Sequence, residues 1–297
     1  MMWKEQVEAT PPYDFDQVLE MLALDPLNKV NIEKRTIDVP LYDRLGNPFV
    51  VTVQATGTKE EPSFIVTGMN EGQKEHAMSE LVRIFHWDRS LKVIQEHFLQ
   101  TNLAKLFREH EGTPLILDFH VYNCLMKCII HQQLNLSFAY QLSTSFVNTF
   151  GTTIDGVKFY PKPEVVAELN YDDLRSLKFS RRKAEYVIDT SRLIAEGKLS
   201  LEKLHDMNDQ EVMNKLVKVR GIGPWTVQNV LMFGLGRSNL FPVADIGLQN
   251  AVKKYFNLER KPTKEEMEKY SREWSPYLSY ASLYLWRSIE KKRRETT

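Results

Sequence analysis

The texture of the chain changes near residue 90, and that change limits the fold more than any other feature. Before it, "NIEKRTIDVP", "NPFVVTVQAT" and "PSFIVTG" are rich in β-branched residues with partial alternation, and "YDRLG" and "TKEE" supply turn material between them. Such runs read as short strands of a small antiparallel sheet. After it, "LKVIQEHFLQTNLAKLF", "YNCLMKCIIHQQ", "SFAYQLSTSFVNTF", "RRKAEYVIDTSRLIAEG" and "SPYLSYASLYLWRSIEKK" follow helix spacing instead. The expected fold is α+β. A sheet-bearing domain over residues 1–90 precedes a mainly helical domain over 91–297, and a length of 297 residues suits two domains.

Hydrophobic residues at 42% and charged residues at 26% exclude a disordered chain, and no apolar run approaches a membrane span. The opening "MMWKEQVEATPPYD" has no apolar core of the kind a secretion signal needs. Two cysteines, Cys124 and Cys128, cannot form a disulfide framework or hold an iron–sulfur cluster alone. A reduced cytoplasmic compartment is the expectation, with nucleoid association in a bacterium. The net charge of zero conceals a division. Residues 1–100 carry 10 Lys and Arg against 16 Asp and Glu, a net −6, so the rest carries +6 and ends in "KKRRE". That leaves room for a phosphate-facing surface on the second part.

The stretch "RGIGPWT" at 220–226 carries the chemistry. "DQEVMNKLVKV" reads as a helix ahead of it, Gly221 and Gly223 allow a tight turn, and Pro224 suits the first turn of a second helix. A helix–hairpin–helix of this kind exposes amides at a positive dipole end, which favours an anion, and Lys218 and Arg220 flank it. Read alone, the same residues also describe a plain αα-corner. Twenty residues past Trp225, "FPVADIGLQNAVKKYF" places Asp245 ahead of another helical run, as an N-cap or as a functional carboxylate.

Together, "VRGIGPWTVQNVLMF…FPVADIGLQ" resembles the signature of the helix–hairpin–helix–Gly/Pro–Asp DNA glycosylase superfamily, in particular its 3-methyladenine DNA glycosylase II type. "PPYDF", "YNCLMKCIIHQQLNLSFAYQL", "LKFSRRKAEYVIDTSRLIAEGKL" and "REWSPYLSYASLYLW" are similar to further segments of that type, in the same order along most of the chain. The resemblance implies a base-flipping enzyme acting on damaged double-stranded DNA, as a monomer and without an iron–sulfur cluster or zinc. Flipping needs a backbone anchor, a gap filler, a base pocket and a group for the chemistry. By resemblance the anchor is Arg220, Gly221, Ile222 and Gly223, whose carbonyls near Gly221 and Gly223 hold a monovalent cation in the family. Asp245 is the catalytic carboxylate. Trp225, Trp286 and Tyr280 are the pocket candidates, Tyr280 as pocket or core residue, and their electron-rich faces suit cationic 3- or 7-alkylpurines, with hypoxanthine as a further candidate.

Two departures matter. Where the related glycosylase type has Gly-Gln-Leu, this chain has His131-Gln132-Gln133, so the wedge residue becomes Gln133, with Leu134 the next apolar choice. Trp225 stands where the lyase branches keep a lysine, and an indole forms no Schiff base, which implies a monofunctional enzyme. His120, Cys124, Cys128 and His131 are zinc-type residues on one helical face, but 11 residues of helix span about 16 Å, too far for four ligands to meet one ion. Two alternatives stay open: a non-catalytic helix–hairpin–helix module, and a glycosylase for another lesion such as oxidised guanine.

Overall fold

The computed structural model describes residues 1–294, with side chains as far as Ile289; the side chains of "KKRRE" lie outside the described residues. Strand β1 (Trp3–Glu8), helix α1 (Phe15–Leu22) and strands β2 (Lys29–Asn31), β3 (Thr36–Tyr42), β4 (Pro48–Ala55) and β5 (Ser63–Gly68) come first. The strands form one antiparallel sheet in the order β1-β5-β4-β3-β2. Burial alternates along β4 and β5, so Val51, Val53, Phe64 and Val66 turn one face of the sheet into a core. The alternation in the sequence foresees β3, β4 and β5. It does not announce β1, whose "WKEQVE" is mostly polar because it closes an edge of the sheet.

Helices α2 (Lys74–Phe85), α3 (Leu91–Phe98) and α4 (Ala104–Glu109) lead into the middle of the chain. There, α5 (Val121–His131) and α6 (Leu136–Phe150) are followed by a small hairpin, β6 (Thr152–Ile154) with β7 (Val157–Phe159). Then come α7 (Pro163–Ala167), α8 (Tyr171–Ser176), α9 (Arg181–Ala195), α10 (Asp209–Leu216) and α11 (Pro224–Asn229), which runs on into a turn of π-helix at Val230–Gly234. The last helices are α12 (Ile246–Tyr255), α13 (Lys264–Ser271) and α14 (Leu278–Arg294).

Two cores result, and they interleave in sequence instead of parting at residue 90. The first joins the sheet to α3 and α4 and also to Leu248, Val252, Met267, Trp274, Tyr280 and Tyr284 from the far end of the chain. The second gathers α5, α6, α9, α10 and α11 around Leu125, Phe146, Val187 and Val227. The link to the far end is made by α14, whose buried Tyr280, Ala281, Tyr284 and Leu285 belong to the first core and whose Tyr284 stacks on Phe107 of α4. A buried ionic group links the two parts. Lys127 of α5 bonds Asp118 and lies 3.9 Å from Asp25, which follows α1. Among the described residues no helix is long and apolar enough to cross a membrane.

Candidate active site

Asp245 is the N-cap of α12, and its carboxylate is held from three sides. Oδ1 accepts from the Leu248 amide at 2.7 Å, as a capping aspartate does. The same oxygen accepts from Trp286 Nε1 at 3.0 Å, and Oδ2 accepts from Trp225 Nε1 at 2.8 Å. Three elements therefore converge on one carboxylate: α11 through Trp225, α12 through the cap, and α14 through Trp286. A carboxylate oxygen offers about two lone-pair directions. Among the described residues Oδ1 receives two donors and Oδ2 receives one. Asp245 and both indoles are only half-buried, so the group stands at a surface. The approach of "FPVAD" is fixed by the Asp245 amide donating to Pro242 O and by Gln249 Nε2 donating to Val243 O.

Of the aromatic set expected around this aspartate, only the two tryptophans reach it. Tyr280 is corrected from pocket to core: it is fully enclosed in the first core, where burial pushes its phenol up to about 12. Six residues separate Tyr280 from Trp286, more than one and a half helical turns, so they leave α14 on different faces. Trp274 is likewise buried and donates to Asn102 Oδ1, and the Tyr284 hydroxyl donates to Thr113 O. Two residues around this cluster went unnoticed in the sequence. A Cβ on Gly247 would sit 3.1 Å from Asp245 Oδ1 and 3.4 Å from Trp286 Nε1, so its bareness makes room for the indole. Phe233, half-buried in the π turn, has its ring centre 6.1 Å from that of Trp286 and so stands behind the indole.

The hairpin joins α10 to α11 as the sequence suggests. Gly221 has φ +91°, and a Cβ there would fall 2.2 Å from the Tyr186 ring, so both conformation and space demand glycine. Gly223 differs: its φ is −101°, and nothing lies within 4 Å of the place a Cβ would take. It is the N-cap of α11 with no capping side chain, and Pro224 follows at the first helical position. The first amides of that helix thus lack a side-chain acceptor. Ile222 is buried in the second core and anchors the turn. Arg220 is engaged within the protein: it pairs with Glu185 at 2.5 Å and lies over the Tyr186 ring at 5.5 Å. The carbonyls of Gly221 and Gly223 already accept from Gln132 Nε2 and the Val227 amide. Each carbonyl oxygen keeps its second lone-pair direction beyond that one bond.

At the turn between α5 and α6, Gln133 is exposed with φ +58°, a conformation that costs a side-chain-bearing residue about 1–2 kcal/mol. Leu134 is half-buried against the second core, while Leu136, at the start of α6, is 50% exposed. Of the zinc-type residues, Cys124 and Cys128 lie within reach of each other while the two histidines bond elsewhere. His120 contacts Pro40 O, Cys124 donates to Asn229 O, and His131 bonds Ser143. Both cysteines are buried and free. Among the described residues no group of three or more His, Cys, Asp or Glu is placed to hold a metal ion.

Residues 126–276 match the family model described as HhH-GPD superfamily base excision DNA repair protein. The chain belongs to the HhH-GPD superfamily. A putative DNA-3-methyladenine glycosylase of Bacillus subtilis, YfjP, is 61% identical over 289 residues, covering 97% of this chain and all of that one. A second B. subtilis protein, DNA-3-methyladenine glycosylase, is 38% identical over 236 residues, 76% of this chain and 78% of its own. Among solved structures, the 3-methyladenine DNA-glycosylase of Archaeoglobus fulgidus superposes with a TM-score of 0.83 at 23% identity, over 95% of this chain and 97% of that one. That likeness confirms the HhH-GPD fold together with its N-terminal sheet. The family match encloses Gln133, the hairpin and Asp245, whereas Trp286 lies beyond it and comes to the site through α14.

Proposed function

We propose that this HhH-GPD protein is a monofunctional DNA glycosylase that excises alkylated purines, of the 3-methyladenine and 7-methylguanine kind, and leaves an intact abasic site. The observation that carries the reading is the Asp245 carboxylate, fixed by two indole N–H groups and a helix amide, two donors on Oδ1 and one on Oδ2. The names of the relatives from B. subtilis support the substrate class.

As the C1′–N bond breaks, its electron pair leaves with the base and neutralises the positive charge of an alkylated purine. Positive charge passes to the sugar, as in glycoside hydrolysis. The Asp245 carboxylate stabilises that charge, and the second lone pair of Oδ2 is the natural acceptor for the proton of the incoming water. Trp225 and Trp286 serve twice in this reading, holding the carboxylate with their N–H edges and offering ring faces to a cationic base. The hairpin amides hold a backbone phosphate, and Gln133 fills the gap, with Leu134 behind it. The enzyme acts as a monomer on duplex DNA and requires no cofactor.

Trp225 argues against the lyase branches and, with them, the usual route for oxidised guanine, because an indole cannot form the covalent intermediate. A purely binding module would have no use for an acid clamped by two indoles. The test is mass-spectrometric identification of free bases released from methylated and deaminated DNA. Release of 3-methyladenine or 7-methylguanine supports the proposal. Intact DNA after prolonged incubation refutes it, and release of oxidised guanine alone replaces the substrate.

A further inference from the structure

We infer that Gln132 is a positioning residue that couples the phosphate hairpin to the wedge turn, so that gripping the backbone and filling the gap are one event. This rests on the glycosylase reading above and deepens it. Gln132 closes α5 immediately before the exposed tip residue Gln133. Its side-chain amide donates to Gly221 O at 2.9 Å and to Thr226 Oγ1 at 2.9 Å, one acceptor in the hairpin turn and the other in the first turn of α11. Thr226 is buried, so this bond is sheltered from water.

Helix α9 braces both ends of the coupling. Lys183 Nζ donates to Ile129 O at 3.1 Å, Ile130 O at 2.7 Å and Gln132 O at 2.7 Å, closing the carbonyl end of α5. One turn further along the same helix, the Tyr186 ring fills the space at Gly221, and Glu185 holds Arg220. The last carbonyls of a helix carry negative charge, which a cation satisfies well. Burial lowers the Lys183 amine to about 8, which leaves it largely protonated at neutral pH. The tip can then hold Gln133 at positive φ because its flanks are fixed on both sides. A phosphate seated on the hairpin is thus mechanically connected to the residue entering the stack.

The experiment compares single-turnover excision of an alkylated purine from a fully paired duplex with excision from the same base in single-stranded DNA, where no stack has to be opened. Variants are Gln132→Leu, Gln133→Ala and the double variant, with Thr226→Val removing one of the two bonds at near-constant volume. Losing two hydrogen bonds predicts about a tenfold fall in the duplex rate for Q132L, a smaller fall in the same direction for T226V, and little change on single strands. Because a misplaced wedge is equivalent to a missing one, Q132L and Q133A are expected to be non-additive in the double variant. If Q132L folds poorly, the T226V ratio of duplex to single-strand rate decides the matter. A parent enzyme that releases no base overturns the glycosylase reading and the coupling with it. An active parent whose variants keep the parental ratio, or whose two glutamine effects multiply independently, overturns the coupling alone.

Discussion

Replacing Asp245 by asparagine separates its two duties. As an N-cap, asparagine is as good as aspartate, so the bond from the Leu248 amide survives and α12 keeps its start. The side-chain oxygen of the new asparagine then takes the place of Oδ1 and also receives Trp286, while its amide nitrogen meets the Trp225 N–H, donor against donor. The reverse orientation would create two such conflicts and lose the cap, so the first prevails. The fold therefore stays intact, and the melting temperature moves by a few degrees at most. The chemistry is lost. A carboxylate about 4 Å from a unit positive charge contributes about 4 kcal/mol at an effective dielectric constant of 20. That is close to three decades in rate, in line with the ~10²–10³-fold cost of removing one preorganised electrostatic partner. Single-turnover release of methylated base, with enzyme in excess, measures it, and a gel shift on the same duplex shows that binding persists. A D245N enzyme that is folded and excises within tenfold of the parent would refute the reasoning.

Trp286→Phe keeps a ring but removes one donor to a charged acceptor, and we expect excision to slow by about 10- to 100-fold with little change in duplex affinity; an unchanged rate would mean that the indole N–H does not orient Asp245. Gly221→Ala drives a methyl into Tyr186 and forces a strained φ, so it should destabilise the protein by about 1–3 kcal/mol and weaken binding to undamaged duplex, whereas Gly223→Ala should leave the melting temperature as it was. Equal effects at both glycines would contradict the hairpin geometry. Burial lowers His86 to about 3, His120 to about 4 and His131 to about 3. On acidification the unfolded chain takes up protons near pH 6.5 that the native state refuses, so stability is lost as pH falls through 6.5 toward these values. Between pH 7 and pH 5 the loss is at most about 2 kcal/mol per histidine, and urea midpoints that stay flat over that window would disprove it. Borohydride should trap no covalent adduct on lesion DNA, and a trapped band would show that an amine elsewhere supplies lyase chemistry.

The site was legible where local chemistry dictates it. Gly221 must be glycine, Pro224 must start a helix, and Asp245 must cap one; each leaves a mark within a few residues. Alternation likewise revealed β4 and β5, because one face of each is buried. What stayed hidden depends on which face of a helix meets which partner. Tyr280 and Trp286 look alike in a helical run, and only the tertiary packing of α14 sends one into the core and the other to Asp245. Gln132 gave no sign either, since its acceptors lie 89 and 94 residues away. Lys183 appears as one more base in "SRRKAE", although it ties down the end of α5. Arg220 was legible as a hairpin residue but not as the partner of Glu185, which lies on another helix.

The interleaving of the two cores has a consequence for how the protein comes into being. The strands of the sheet come before residue 70, but the core they share also takes in Leu248, Trp274, Tyr280 and Tyr284 from far along the chain. The middle bundle, from Tyr122 to Leu240, depends almost wholly on residues of its own stretch, as a unit that can fold on its own does. The hairpin and the wedge turn belong to the bundle, and the acid is tied to it through Trp225 and to the far end of the chain through Trp286.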